Sequence, residues 1–387
     1  MSKNTVLFVD DEPKVLNGLR RMLYPLQNDW NMLFAESGTE GLEILAQVKV
    51  TILISDMRMP IMNGFELLQT VLRRFPEVIR VMLTGQPNKD TFCDVATISH
   101  YYLWKPANFK DLKALFDTIR ERDISLHTEQ LLQLLGGINS LPSSPPVFDL
   151  LMELIESHEI DNTKIAAVII EDISMTAQIL RLAHSISFGL SQQIETVQEA
   201  VAHLGLNILR QLILEKNLFS RCSEQERKTF QLDKLWQHSL DTATLAKALA
   251  EWDNESAATC NSAYIAGLLH NIGKLILTRH LPEIYAEILQ DTQQHDKNQT
   301  KIESERLGAN HAFIGGHLAS LWGLPQTITE AISLHHAPLL LPEISRTPPV
   351  MNAVWHANRI CKGDYSQSTK YQDVIARWQH IAKAIKP

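Results

Sequence analysis

The first 125 residues switch repeatedly between two hydrophobic periods, and that alternation narrows the fold more than any other feature. Short runs of β-branched and aromatic residues read as buried strands: "TVLFV" (5–9), "MLFA" (32–35), "VTILIS" (50–55), "IRVMLT" (79–84) and "HYYLWK" (100–105). Between and after them, "PKVLNGLRRMLYPL", "GTEGLEILAQV", "GFELLQTVLRR", "NKDTFCDVAT" and "NFKDLKALFDTIRERDI" carry helical spacing. Five strand–helix units of this length predict an α/β fold, a doubly wound parallel sheet wrapped by helices. In such sheets functional groups gather in the crevice outside the carboxyl ends of the strands.

Beyond about residue 125 the strand signal stops. Helix follows helix, punctuated by "NSLPSSPP" (139–146), "HLP" (280–282), "GLP" (323–325) and "RTPP" (346–349), which predicts a compact all-α domain. The expected boundary lies in "RERDISLHTEQ" (120–130), giving an α/β domain over 1–125 and a helical domain over 126–387 with its core at about 130–335. A chain of 387 residues has room for both cores. The net charge of −8 argues against broad, non-specific grip on nucleic acid. Four scattered cysteines without a CxxC pair suggest neither a zinc ribbon nor a disulfide framework, and fit a reducing cytoplasm. No signal peptide or membrane-spanning run is expected.

If the sheet is parallel, Asp10 and Asp11 after the first strand, Asp56 after the third, Thr84 after the fourth and Lys105 after the fifth arrive at one edge. Clustered carboxylates repel unless a cation joins them, and oxygen-rich ligation suits Mg²⁺. A carboxylate at the centre can act as nucleophile towards a phosphoryl group, with metal and ammonium neutralising the developing charge. The competing reading, an acidic N-cap starting a helix, explains "VDDE" alone but not the other strand ends.

Over roughly 1–125 the stretches "LFVDDE", "LISDMRMPIMNGFEL", "VMLTGQ" and "YYLWKPAN" make the chain resemble the response-regulator receiver (CheY-like, flavodoxin-like) domain. The resemblance implies Asp56 as phospho-acceptor, Asp11 as a direct Mg²⁺ ligand, Asp10 acting mainly through water, and the Arg58 carbonyl as a further ligand. It implies Thr84 and Lys105 as partners of the acyl phosphate, a cis bond before Pro106, and Tyr102 as the switch aromatic.

In the helical half, His238, His270, His311, His335, His336 and Asn358 follow an order that resembles the HD superfamily. The closer resemblance is to its HDOD subgroup, carried by "INSLPSSPPVFDLLMELI", "IIEDISMTAQILRLAHS", "IETVQEAVAHLGLNILRQLIL", "LWQHSLDTATLAKALA" and "HAFIGGHLASLWGLP". In hydrolytic relatives the Asp of the His-Asp pair bridges two metals. Here "HNIGK" puts Asn271 in its place, and Asn358 replaces the second expected Asp. An amide offers one neutral oxygen, and its nitrogen points donor hydrogens at any cation. The imidazoles could hold one Zn²⁺, Ni²⁺ or Fe²⁺, but supply no anion to favour a bridging hydroxide. Ala337 stands where the cyclic-dinucleotide phosphodiesterase branch has Glu.

The expectation is therefore a two-component response regulator, phosphorylated on Asp56 by a histidine kinase and signalling through a non-catalytic helical domain to an unidentified downstream protein or a second copy of itself. Two alternatives stay open: a receiver-gated metal-dependent phosphohydrolase of nucleotides or cyclic dinucleotides, and a nucleotide- or metal-sensing module. Blander readings accompany the motifs. His238, His270 and His311 are expected to hydrogen-bond one another as remnants, and His184, His203 and His356 to be core or capping residues. His311 and His317, six apart, face different sides of a helix. Ala312, Gly315, Gly316 and Ala319 let two helices approach closely. "GLSQQIETVQEAVAHLGLNILRQ" has the spacing of a helix-turn-helix but too few basic residues for DNA reading.

Overall fold

The computed structural model describes residues 3–85, 89–121, 129–138, 140–157, 161–187, 194–295, 298–336, 347–364 and 371–376. The expected boundary at 125/126 and Ala337 lie outside these residues.

The five apolar runs form strands β1 (Asn4–Val9), β2 (Trp30–Ala35), β3 (Ile52–Asp56), β4 (Ile79–Thr84) and β5 (Tyr101–Trp104). They pair in parallel in the order β2-β1-β3-β4-β5. Helices α1 (Pro13–Met22), α2 (Gly38–Gln47), α3 (Gly64–Arg74), α4 (Lys89–Ile98) and α5 (Phe109–Glu121) alternate with them. The pleat sends Val6, Phe8, Ile52, Ile54 and Val81 against α1 and α5, and Leu7, Val9, Leu53 and Met82 into a second core with α2, α3 and α4. Being buried on both faces explains why these strands read as continuous apolar runs rather than alternating ones.

The second half continues with α6 (Glu129–Gly136), α7 (Pro145–Glu156), α8 (Asn162–Ile169), α9 (Ile173–Ser187), α10 (Val197–Leu204), α11 (Leu206–Leu214), α12 (Glu224–Thr229) and α13 (Leu232–Trp252). It closes with α14 (Ala257–Leu269), α15 (Ile272–His280), α16 (Pro282–His295), α17 (Gln299–Leu307), α18 (His311–Leu321), α19 (Gln326–Leu334) and α20 (Pro349–Cys361). The all-helical expectation misses one detail. Pro142–Ser143 pairs in parallel with Ser220–Arg221, tying the loop before α7 to the one after α11. Two-residue strands are too short to leave a periodic trace.

The domains share a packed seam. The α4–β5 edge of the sheet lies against α9 and α11. Arg80 donates through Nη2 to the Gly136 carbonyl at 2.9 Å, Cys93 Sγ donates to Gln211 Oε1 at 3.2 Å, and Lys216 Nζ pairs with Asp94 at 2.5 Å. One apolar core runs from Leu53, Met82 and Tyr102 through Leu131 and Leu135 of α6 into Leu268 and Ile272. Among the described residues no helix is long and apolar enough to cross a membrane.

Candidate functional site

At the carboxyl edge of the sheet the structure brings Asp10, Asp56, Thr84 and Lys105 together, as the strand ends required. Asp10 and Asp56 are 2 % and 7 % exposed, and Thr84 is also buried. A single ammonium, Lys105 Nζ, lies 2.6 Å from Asp56 Oδ1 and 2.8 Å from Asp10 Oδ2. Burial works against that charge, but the hydrogen bonds to Asp10 and Asp56 outweigh it and raise the Lys105 pKa above its ordinary value. Backbone donors fix the remaining oxygens: Arg58 N donates to Asp56 Oδ2 at 3.0 Å, and Glu12 N to Asp10 Oδ1 at 3.0 Å.

The loop after β3 is held by an Asn63–Glu66 capping box at the start of α3. Gly64 is needed there because a Cβ would stand 2.1 Å from the Asp56 carbonyl oxygen. Asp11 and Arg58 line an open cavity of about 630 Å³ beside Asp56. With the Asp10 and Asp56 carboxylates, this all-oxygen donor set fits a hard divalent cation such as Mg²⁺. The Lys105–Pro106 peptide is cis, as expected. Tyr102 is buried at the seam, and burial, followed by the fields of Cys93 and Asp94, pushes its phenol pKa well up.

The helical half does gather its seven motif residues, His238, His270, Asn271, His311, His335, His336 and Asn358, but not in the expected hydrogen-bond pattern. His238, His270 and His311 are not bonded to one another; each is held by a different partner. His238 Nε2 donates to Asn358 Oδ1 at 3.1 Å. His270 Nδ1 lies 2.6 Å from the Gly267 carbonyl, which can only accept, so the proton sits on Nδ1. The lone pair on Nε2 then receives Asn271 Nδ2 at 2.7 Å. Each of the two amides therefore occupies a ring nitrogen that a metal would need. The exchange of Asp for Asn removes an anion and also caps a ligand.

The other three imidazoles are arranged differently. His311 Nδ1 donates to Glu303 Oε2 at 2.6 Å, and the same oxygen accepts the His311 backbone N–H at 2.8 Å. His335 Nδ1 donates to the Ile332 carbonyl at 2.7 Å, which leaves its buried Nε2 without a partner. His336 Nε2 lies 3.0 Å from His311 Nε2, either donating to it or, with its proton on Nδ1, turning a second lone pair towards the same point. Ligand atoms of His311, His335 and His336 lie within 4.8 Å of one another. Burial holds all these rings neutral: His238 is lowered to about 4, and His270, His311 and His335 fall well below the usual histidine range. An all-nitrogen set of neutral imidazoles, one oriented by a carboxylate, fits a single borderline metal such as Zn²⁺.

Glu303 is the residue that sequence reasoning missed. It is fully buried on α17, and Gln299 donates to its other oxygen at 2.9 Å. Beside Asn271 a cavity of about 220 Å³ is lined by His238, Lys274, Phe230 and Tyr285, the last two stacked at 5.9 Å.

His184 is a core residue bonded to the Ile194 carbonyl, and His356 packs between Trp355 and Tyr371. His203 lies in the last turn of α10 and is exposed, so it is not a core residue. The small residues serve close approach, since a Cβ on Gly315 would stand 2.9 Å from Gly273 N. Residues of the helix-turn-helix-like pattern pack inward through Val201, Leu204, Leu209 and Leu212.

Comparison with known proteins agrees with this architecture. The family model for the HDOD domain matches residues 141–338, and that for the response regulator receiver domain matches residues 6–117. A Treponema pallidum protein described as uncharacterized is 27 % identical over 223 residues, covering 57 % of this chain and 42 % of its own. The hydrogenase transcriptional regulatory protein HoxA of Cupriavidus necator is 32 % identical over 122 residues, covering 30 % of this chain and 23 % of its own. The chain thus spans less than half the length of these relatives. The crystal structure of the MmoQ response regulator from Methylococcus capsulatus superposes with a TM-score of 0.52 at 23 % identity, over 64 % of this chain and 98 % of that one, and shares the fold. With one family model covering half of its length, the chain belongs to the HDOD-domain family and is a response regulator carrying a receiver domain ahead of an HD-type output domain.

Proposed function

We propose that the protein is phosphorylated on Asp56 by a histidine kinase and signals through a helical domain that performs no hydrolysis of its own. The observation that carries this reading is the Lys105 ammonium bridging Asp56 and Asp10 at the sheet edge. An Asp56 carboxylate oxygen attacks the phosphorus of a phosphohistidine; the phosphorus–nitrogen bond breaks and the imidazole leaves with its electron pair. Lys105 and the Arg58 N–H offset the charge on the phosphoryl oxygens, and the Thr84 hydroxyl donates to one of them. Asp10, Asp11, Asp56 and the Arg58 carbonyl would hold Mg²⁺, which supplies further charge neutralisation. Purified protein with labelled acetyl phosphate and Mg²⁺ should incorporate label on wild type and none on Asp56→Asn. Equal incorporation would remove the assignment.

Absence of hydrolysis rests on Asn271 and Asn358 occupying His270 and His238. A second reading, a site for one metal ion at His311, His335 and His336, is favoured by the unpartnered His335 Nε2 and the Glu303–His311 pair. Analysis of the purified chain for zinc, nickel and iron should find fewer than two equivalents of transition metal, and a tightly held dinuclear centre beside Asn271 would overturn the account of the two asparagines.

A further inference from the structure

Helix α9 carries a polar stripe into the seam between the domains and finds no partner there. Gln178, Arg181 and Ser185 are spaced three and four residues apart and share one helix face. They are 0 %, 3 % and 5 % exposed. Both amide atoms of Gln178 and both Nε and Nη2 of Arg181 are buried without a hydrogen-bond partner. The Ser185 hydroxyl is unpartnered too. Arg181 lies with its guanidinium carbon 5.3 Å from the centroid of Trp322, at the end of α18. Next to that ring, Gly323 stands against Tyr101 of β5 and His184 of α9.

The two orphaned nitrogens of Arg181 are not a random pair. Their N–H bonds leave one edge of the planar guanidinium side by side, the fork that a carboxylate or phosphate group fits with two parallel hydrogen bonds. A second guanidinium lies close enough to be felt. Arg80, 1 % exposed, gives its donors to the carbonyls of Pro76, Val78, Ile98 and Gly136. Burial first, and then the field of Arg181, lower the Arg80 pKa to about 9. Arg181 is itself lowered by burial to about 10, so both stay charged at neutral pH. Among the described residues no carboxylate forms an ion pair with either. The field of Glu77 partly offsets the Arg80 charge, but burial of Arg181 is opposed by no such neighbour; a buried cation left uncompensated is strongly unfavourable, and water can satisfy its hydrogen bonds but not its charge.

We propose that this seam is a binding site for a small oxyanion, a carboxylate or phosphate group seated in the Arg181 fork, with the Gln178 amide and Ser185 hydroxyl as further donors. The site is separate from Asp56 and does not depend on the phosphorylation reading.

Calorimetry on the full chain, with inorganic phosphate and with succinate as the two probes, tests it. An Asp56→Asn background keeps the receiver's own phosphoryl site from registering. At least one probe should bind with one-to-one stoichiometry, and Arg181→Met should weaken that binding at least tenfold. Binding of phosphate alone assigns a phosphate ligand, of succinate alone a carboxylate ligand. Gln178→Leu, which keeps the guanidinium and removes only the amide, should weaken binding severalfold, and it carries the test if Arg181→Met does not fold. No binding of either probe to the folded chain, or equal affinity in wild type and in the folded variants, overturns the proposal.

Discussion

Acid should loosen the helical domain through its buried imidazoles, and His238 sets the size of the effect. Burial is the main cause of its depressed pKa; the Lys362 ammonium adds to the depression, and the bond to Asn358 opposes it. The result is a fall from 6.5 to about 4. Between those values the unfolded chain binds a proton that the folded one refuses. Stability should therefore be constant above pH 6.5, fall as pH drops towards 4, and lose nothing more from this group below that. The shift corresponds to about 3.4 kcal/mol in full and about 2 kcal/mol by pH 5. His270, His311 and His335 act in the same direction. Urea unfolding followed by far-ultraviolet circular dichroism at several pH values gives the slope of stability against pH. His238→Gln keeps an amide nitrogen near the position of Nε2 and removes the titration. Its slope between pH 4.5 and 6 should be smaller than that of wild type by about 1.2 kcal/mol per pH unit. Taking the difference cancels acid effects arising in the receiver. Identical slopes would show that His238 titrates normally and that its pocket is wetter than the geometry implies.

Two further substitutions probe the helical core and the histidine cluster. Gly273→Ala would drive a Cβ to 1.9 Å from the His311 carbonyl oxygen, forcing α15 away from α18. A loss of about 3 kcal/mol or failure to fold is expected, read as the thermal midpoint, and an unchanged midpoint would deny the close approach. Glu303→Gln keeps the shape of the group that orients His311 but removes its charge. Zinc affinity, measured by competition with a chromophoric chelator, should fall about 10- to 100-fold, and no change would leave Glu303 with a purely structural role.

The receiver half was legible because chemistry and topology coincide there. Asp56, Thr84 and Lys105 each terminate a run that must be a strand, so a parallel sheet brings them to one edge without any long-range guess. The helical half hides its decisive contacts. His238 meets Asn358 across 120 positions of chain, and nothing local announces the pair. Which way the Asn271 amide points depends on the proton held by His270, and that in turn on the Gly267 carbonyl. Glu303 sits in "QTKIESERLGANH", which reads as an ordinary solvated helix. The available signal was its place beside Ile302 and four residues before Leu307, on the stripe that α17 buries. Arg80 in "VIRVML" and Arg181 in "ILRLAH" interrupt apolar runs, yet a lone arginine there gives no hint of a second domain covering it.

Because Leu53, Met82 and Tyr102 belong to the same packed mass as α6 and the helices beyond it, the sheet cannot rearrange its last strands in private. Any shift of Thr84 and its neighbours must be absorbed by the helices resting on them, so movement at the sheet edge is felt in the helical domain. Cut away from that cover, residues 3–121 would expose the apolar face that the helices beyond now bury. The proposed phosphorylation of Asp56 is therefore a question for the whole chain, because such a fragment would present its sheet in a different environment.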